Sequence, residues 1–318
     1  MKVVVTGGSG FIGSHLVDRL MSQGHTVTVM DNLSGGDKNF IAHHLKNKRF
    51  RFVKIDLRET AKLKRAWPAK VDVVFHLAAN ADIARGVEDP TLDFQHSLVA
   101  TFSLLQTMHQ HGVKTIVYTS GSGVYGDHGA KYLAETFGPL KPVSMYGATK
   151  LGAEGLISAF AHLFGMRACM LRPANIIGPR ATHGVVFDFV GRLMKDPRQL
   201  RILGDGRQSK AYLHVSDVID ALLLVYKKGK DTVNIYNLSS ESFINVNAIA
   251  DVVIQEMGLK GVSRHHTPGK IGWKGDVAVI RLTNSAIKRI GWKSHYTSRQ
   301  AVQATSRALL TDPRFTHD

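Results

Sequence analysis

The chain is short of several things that would each steer its reading. It has one cysteine, Cys169, in 318 residues, so an internal disulfide is excluded and the residue reads as a small core side chain in a strand, as suits a reducing compartment. No apolar run approaches the length that spans a bilayer, and the amino terminus enters a β-branched run without a basic-then-apolar leader. These absences predict a cytoplasmic chain without a membrane anchor. Acids are also few: 25 Asp and Glu stand against 41 Lys and Arg, for a formal net charge of +16. Such an excess suits nucleic acid, an anionic surface or an anionic substrate. The cations are scattered, however, and the densest groups, Lys46 to Lys54 and Lys227 to Lys230, lack the interleaved aromatics of a nucleic-acid platform. They read as solvated surface, and neither nucleic acid nor membrane is expected as a partner. The histidine pairs His43-His44 and His265-His266 have no carboxylate or cysteine set at ligand spacing in the sequence, so no metal is assigned.

What is present is an α/β pattern. The apolar share of 44% and charged share of 21% are those of a globular chain long enough for one large or two coupled domains. Val3 to Thr6 reads as a strand that breaks into Gly7, Gly10 and Gly13 and restarts as a helix from Ile12 to Ser22. Such glycines turn the chain, admit a pyrophosphate to the backbone and let helix pack on strand, with the helix amino terminus facing the anion. The next apolar run ends in Asp31, an acid suited to both hydroxyls of an adenosine ribose and repelled by a 2′-phosphate, which favours NAD over NADP. Further strands are expected at Phe50 to Ile55, Val71 to His76 and Val113 to Thr119, with a long helix from Thr91 to His111. Asp56 ends the third strand at the carboxyl edge, where it could meet an adenine amino group, and Leu77-Ala-Ala-Asn80 would let backbone pass close to a cofactor.

Ser144-Met-Tyr-Gly-Ala-Thr-Lys150 opens another helix, with Tyr146 and Lys150 four apart on one face. An ammonium beside a phenol favours the phenolate, which predicts a Tyr146 pKa lowered toward neutrality and a role in exchanging a proton with a substrate hydroxyl.

With these pieces in place the chain resembles the extended short-chain dehydrogenase/reductase family, specifically nucleotide-sugar epimerases of the UDP-glucose 4-epimerase type. The matching stretches are Thr6-Gly-Gly-Ser-Gly-Phe-Ile-Gly13, Asp31-Asn-Leu-Ser-Gly35, Asp56-Leu57, His76-Leu-Ala-Ala79, Val124-Tyr-Gly126, Tyr146-x-x-x-Lys150, Arg172-Pro-Ala-Asn-Ile-Ile-Gly-Pro-Arg180, and Leu203-Gly-Asp-Gly206 before Tyr212-Leu-His-Val-Ser-Asp217. The resemblance implies a Rossmann-type doubly wound parallel sheet over residues 1–176, joined by a returning segment near 211–238, with 177–210 and about 239–318 forming a smaller substrate lobe. It implies NAD held by Gly7, Gly10, Phe11, Ile12 and Gly13, by Asp31, Asn32, Ser34 and Gly35, by Asp56 and Leu57, by Leu77, Ala78 and Ala79, and by Tyr146 and Lys150. Tyr146 would be the catalytic base, Lys150 would hold the nicotinamide ribose, and Asn175 would sit by the substrate diphosphate. Two long helices would pair with their copies in a homodimer.

The departures are specific. Relatives carry Ser or Thr four positions before the Tyr of Val-Tyr-Gly, where this chain has Gly121; Ser122 is the preferred replacement over Ser120. A usual phosphate-site Arg is Lys210, another is Ile271, and Lys270, Lys274 and Arg180 could compensate; Lys210 and Lys274 are taken as substrate-binding. Dehydratases of the family carry an Asp-Glu pair in this stretch and glucuronate decarboxylases a Glu, whereas Gly121-Ser-Gly123 supplies neither, which leaves C4 epimerisation through a 4-keto sugar. In relatives the residue at Ile280 limits sugar size when it is Tyr, so an N-acetylhexosamine or a uronic acid is open as substrate beside a plain hexose. Another oxidoreductase or dehydratase of the same fold, or a catalytically impaired NAD-binding protein, remains the alternative.

Overall fold

The computed structural model describes residues 1–80, 83–272 and 275–315. Its frame is a parallel sheet of seven strands: β1 (Lys2–Thr6), β2 (Thr26–Asp31), β3 (Phe50–Lys54), β4 (Val73–His76), β5 (Thr115–Thr119), β6 (Arg167–Pro173) and β7 (Val233–Leu238). Their spatial order is β7-β6-β5-β4-β1-β2-β3. The strands are apolar on both faces because both are covered: Val3 and Val5 enter one core, while Val4 enters the other. The main helices are α1 (Phe11–Ser22), α2 (Thr60–Ala66), α3 (Ala100–Gln110), α4 (Met145–Phe164), α5 (Val185–Lys195), α6 (Val215–Lys228), α7 (Val246–Glu256) and α8 (Ser298–Leu310). Leu16 and Leu20 of α1 and Val218 and Leu222 of α6 fill the first core; Leu63 of α2, Leu104 of α3 and Ile157 of α4 fill the second. A third core joins α5, α7 and α8 around Val190, Ile249 and Val302, away from the sheet.

Strand order reverses beside β1, so the crevice between the carboxyl ends of β1 and β4 is the expected ligand position. The loops that leave those ends begin at Gly7 and Leu77. The helix expected from Thr91 to His111 is present but not uniform: Pro90–Asp93 and α3 are α-helical, while Phe94–Val99 between them is a π-helical stretch. An i to i+5 turn of this kind cannot be read from apolar spacing and often marks a functional region.

His76 ends β4 in full burial. Its Nδ1 lies 2.7 Å from Thr6 Oγ1, its Nε2 lies 2.9 Å from Thr101 Oγ1, and its ring stacks on Tyr118 at 5.4 Å. Burial, with the Lys150 charge acting the same way, lowers its pKa to about 3. The folded pKa is depressed, so the unfolded chain takes up a proton that the folded one refuses. The stabilisation is complete above the ordinary histidine pKa and is lost progressively as pH falls from there toward 3. Between pH 6.5 and 5 this group alone should remove about 2 kcal/mol of stability. Urea titrations across that range should show a flatter decline for His76→Asn than for the natural chain; equal slopes would refute a neutral buried His76.

Candidate active site

The phosphate loop is built by close backbone approach. Gly7 has φ 69° and donates its N–H to Met30 O at 2.9 Å, and a Cβ there would lie 2.7 Å from Ala78 N. Gly10 caps α1 and donates to Gly7 O at 3.1 Å, with Phe11 and Ile12 opening the helix. At Gly13 a Cβ would stand 2.1 Å from Gly7 O. Backbone cannot yield there cheaply, so Gly13→Ala should weaken NAD binding at least tenfold, or more than about 1.4 kcal/mol, in a calorimetric titration. Unaltered affinity would show that the loop does not need this contact.

Asp31, at the end of β2, accepts from Ser9 N at 2.9 Å and Leu33 N at 2.8 Å. Burial raises its pKa, and those two bonds oppose the rise. The following segment folds back on the phosphate loop: Ser34 N donates to Asn32 Oδ1, Gly35 follows, Gly36 packs on Ser9 backbone, and Asp37 N donates to Ser9 O. Asp56 is bound by Arg58 through both oxygens, at 3.0 and 2.7 Å, and by Asn32 Nδ2 at 3.3 Å. Hydrogen bonding from Arg58 chiefly lowers its pKa to about 2. Arg58 was not singled out from the sequence. Leu57 is buried beneath this group, and across the crevice Leu77 N donates to Thr6 O, leading into Ala78 and Ala79.

Tyr146 and Lys150 stand on the first turns of α4, which Ser144 caps by accepting from Gly147 N at 3.1 Å. Lys150 is buried; its Nζ donates to Thr119 O at 2.7 Å and lies 4.9 Å from the Tyr118 ring centroid and 5.6 Å from that of Tyr146. Burial lowers its pKa to about 8, against Asp93 and Glu154, which raise it. The phenol behaves contrary to the expectation from helical spacing: burial, with Asp93 adding, pushes Tyr146 up to about 12. Spacing reveals the ammonium's presence but not the desolvation, nor that the ammonium is directed at a carbonyl. Asp93 is a further group that sequence reasoning missed. It is 1% exposed, accepts from Asn80 Nδ2 at 3.0 Å, and fits because position 86 is glycine, where a Cβ would meet its Oδ2 at 2.1 Å.

Gly121 lies where the missing hydroxyl would matter, since a Cβ there would be 3.3 Å from the Tyr146 hydroxyl. Gly123 also faces the phenol ring, at 3.7 Å from Cδ1. Ser122 sits between them at the start of a 3-10 turn and, among the described residues, makes no hydrogen bond to Tyr146. The Oγ1 of Thr119 and Oγ of Ser120, at the end of β5, are buried without a hydrogen-bond partner among the described residues.

On the lobe side, Asn175 pairs in register with Tyr212, whose phenol burial pushes up to about 12, with Asp276 adding. Lys210 is buried in an ion pair with Asp276, which also accepts from Gly272 N at 3.3 Å. Ile280 is 5% exposed in the same region. Lys274 lies outside the described residues. Arg180, offered from the sequence as a phosphate ligand, is bound 2.8 Å from Asp18. The same carboxylate receives His43 and His44 at 2.9 and 2.7 Å, a partner for that pair which sequence spacing did not reveal.

A glycine loop feeding a helix at the switch point, a buried acid after the second strand and a Tyr-Lys pair beside the end of β5 define a Rossmann-type NAD enzyme. The chain belongs to the NAD dependent epimerase/dehydratase family, whose model matches residues 3–239. It is 31% identical over 306 residues to a putative UDP-glucose 4-epimerase of Methanocaldococcus jannaschii, covering 95% of this chain and 96% of that one. A UDP-galactose 4-epimerase crystal structure superposes with a TM-score of 0.87 at 36% identity, covering 98% and 99%. The dTDP-glucose 4,6-dehydratase of Streptomyces venezuelae, solved with NAD, superposes with a TM-score of 0.91 at 26% identity, covering 99% and 98%. The cofactor is NAD, and the crevice suits it: glycines leave the cradle open and Ser9 Oγ is buried there without a partner among the described residues.

Proposed function

We propose that the protein inverts C4 of a nucleotide-linked sugar, a UDP-hexose, UDP-N-acetylhexosamine or UDP-uronic acid, through a transient 4-keto form. The observation that carries this over dehydration or decarboxylation is the stretch facing the phenol, Gly121-Ser122-Gly123, which offers no carboxylate for elimination. Bound NAD supplies reversible two-electron oxidation at C4. Tyr146 takes the 4-hydroxyl proton as C4 is oxidised and returns a proton to the same oxygen when the ketone, turned to present its other face, is reduced. Its high pKa in the protein's own field means that the phenolate forms only with added positive charge nearby, which ties proton removal to a loaded site. Lys150, one helical turn away, holds the nicotinamide ribose. Asn175, Lys210 and Lys274 serve the nucleotide end, with Lys210 exchanging Asp276 for the diphosphate. Ser122 or Ser120 supplies the hydroxyl that position 121 lacks.

Proton NMR of UDP-glucose, UDP-N-acetylglucosamine and their uronic acids, each incubated with the protein and no added cofactor, tests this directly. A changed H3–H4 coupling in one of them identifies C4 inversion and the substrate. Loss of the C6 hydroxymethyl signals would instead establish a dehydratase, and four unchanged sugars would overturn turnover of these substrates.

We also infer a homodimer through the Pro90–Asp93 to α3 region and α4. Phe94, Phe102 and Met145 are exposed there by 39–44%, an apolar face that a second copy would cover. Sedimentation should give twice the 34.9 kDa chain mass; a stable single-chain mass at micromolar concentration would refute the pairing.

A further inference from the structure

The cations that look scattered in sequence are gathered by the fold. Because every strand of the sheet is parallel, all seven amino-terminal ends lie along one rim, opposite the cofactor crevice. Lys2 opens β1, Arg49 precedes β3, Lys70 precedes β4, Lys114 precedes β5, Arg167 opens β6 and Lys230 precedes β7. Helices that return from the crevice end at the same rim, and their last turns add Lys64 and Arg65 from α2 and Lys227 and Lys228 from α6. Lys46 and Lys48 extend it beside the edge strand β3, both exposed. The acids interspersed are Asp72 and Asp231.

Part of this charge has a local use. Arg49 donates to Gly24 O beyond α1, Lys114 donates to Phe164 O at the end of α4, and Arg167 donates to Tyr226 O and Gly229 O at the end of α6. Cations at helix carboxyl termini complement the exposed carbonyls. That use does not extend to Lys2, Lys46, Lys48, Lys70 and Lys230, which are exposed. Among the described residues no carboxylate pairs with any cation of the rim.

We propose that this rim is a docking surface for an anionic lipid bilayer, which the protein meets with its cofactor crevice turned away. Charge complementarity carries the choice of partner. The uncommitted cations are almost all lysines, point charges suited to a field of headgroups more than to the bidentate and stacked contacts by which nucleic acid is gripped. The rim aromatics Phe50 and Trp67 are buried, and the half-buried Tyr226 is covered by Arg167 at 5.3 Å from its ring centroid, so the rim offers bases little to stack on. Leu163, in the last turn of α4 beside the Lys114 contact, is 73% exposed and adds an apolar tip of the kind that enters a headgroup layer. No helix among the described residues is long and apolar enough to cross a membrane, so attachment would be peripheral and reversible by salt.

The test is co-sedimentation of the full chain with phosphatidylcholine vesicles, with and without phosphatidylglycerol, at low and high sodium chloride. Binding is expected only to the phosphatidylglycerol vesicles, released by salt, and weakened at least about tenfold by Lys227→Glu/Lys228→Glu/Lys230→Glu. A second set, Lys46→Glu/Lys48→Glu/Lys70→Glu, guards against misfolding of the first, and unchanged melting temperature and NAD content confirm that each variant is intact. The proposal is overturned if both vesicle types bind equally, if neither variant loses binding, or if a duplex or single-stranded oligonucleotide displaces the vesicles, which would assign the rim to nucleic acid. None of these readouts requires sugar turnover, so the outcome is independent of the proposed reaction.

Discussion

Tyr146→Phe should reduce C4 inversion by about 10³-fold in kcat while leaving NAD binding intact. The proposed proton exchange rests on this hydroxyl. Phenylalanine keeps the ring that faces Gly121 and Gly123. Loss should therefore fall on turnover and not on the substrate KM. The pH dependence should differ as well. Tyr146 is pushed to about 12 and Lys150 lowered to about 8, the latter within reach of assay conditions. Turnover of the natural chain should fall as pH rises through about 8, where Lys150 loses its ammonium charge beside the phenol, whereas Tyr146→Phe, which needs no phenolate, should lack that limb. Steady-state kinetics with the substrate identified by NMR, beside a calorimetric NAD titration, measures both. A variant that binds NAD and turns over within tenfold of the natural chain would remove Tyr146 from the chemistry, leaving Ser120, Thr119 or Asp93 to be examined as the proton carrier.

What could be read from the sequence was mostly what is local in the chain. Gly7, Gly10 and Gly13 fall between a strand and a helix, so their backbone roles are visible in a dozen consecutive residues, and Asp31 follows the next strand in plain order. Tyr146 and Lys150 are visible because helical spacing puts them together. Features made by distant segments were not visible. Asp93, just before a π-helical turn, acts electrostatically on Tyr146 and Lys150 from a distant segment, and its place depends on the absence of a side chain at Gly86. His43 and His44 find Asp18 on another element, and Lys210 finds Asp276, 66 positions later. The direction of the Tyr146 pKa failed for a related reason: spacing reports which charges are near, whereas burial depends on everything packed around them. The basic rim is a further case, since only parallel pairing brings strand entries together.

Replacing Arg172 by methionine should cost about 3–5 kcal/mol of folding stability, one of the largest effects available outside the site. Arg172 Nη2 and Nε reach Glu154 at 2.6 and 3.0 Å, and both residues are under 5% exposed. Arg172 Nη1 also donates to Tyr125 Oη at 3.0 Å, and that hydroxyl donates to Asn237 Oδ1 at 2.7 Å. The cluster thus joins α4, one turn beyond Lys150, to β6, β7 and the Val-Tyr-Gly segment. With the guanidinium gone, the Glu154 carboxyl would be buried in a site that no longer solvates or pairs it, and that desolvation is the main loss. The second replacement separates this cause from lost packing. Arg172→Met/Glu154→Leu removes both charges at similar volume and should recover most of the deficit, because a buried pair and its apolar replacement are commonly of comparable stability. Urea unfolding of the two single variants and the double variant measures the coupling. If the double variant is as unstable as the sum of the singles, the two residues stabilise the fold independently, and the ion pair is not what fixes α4 to the sheet.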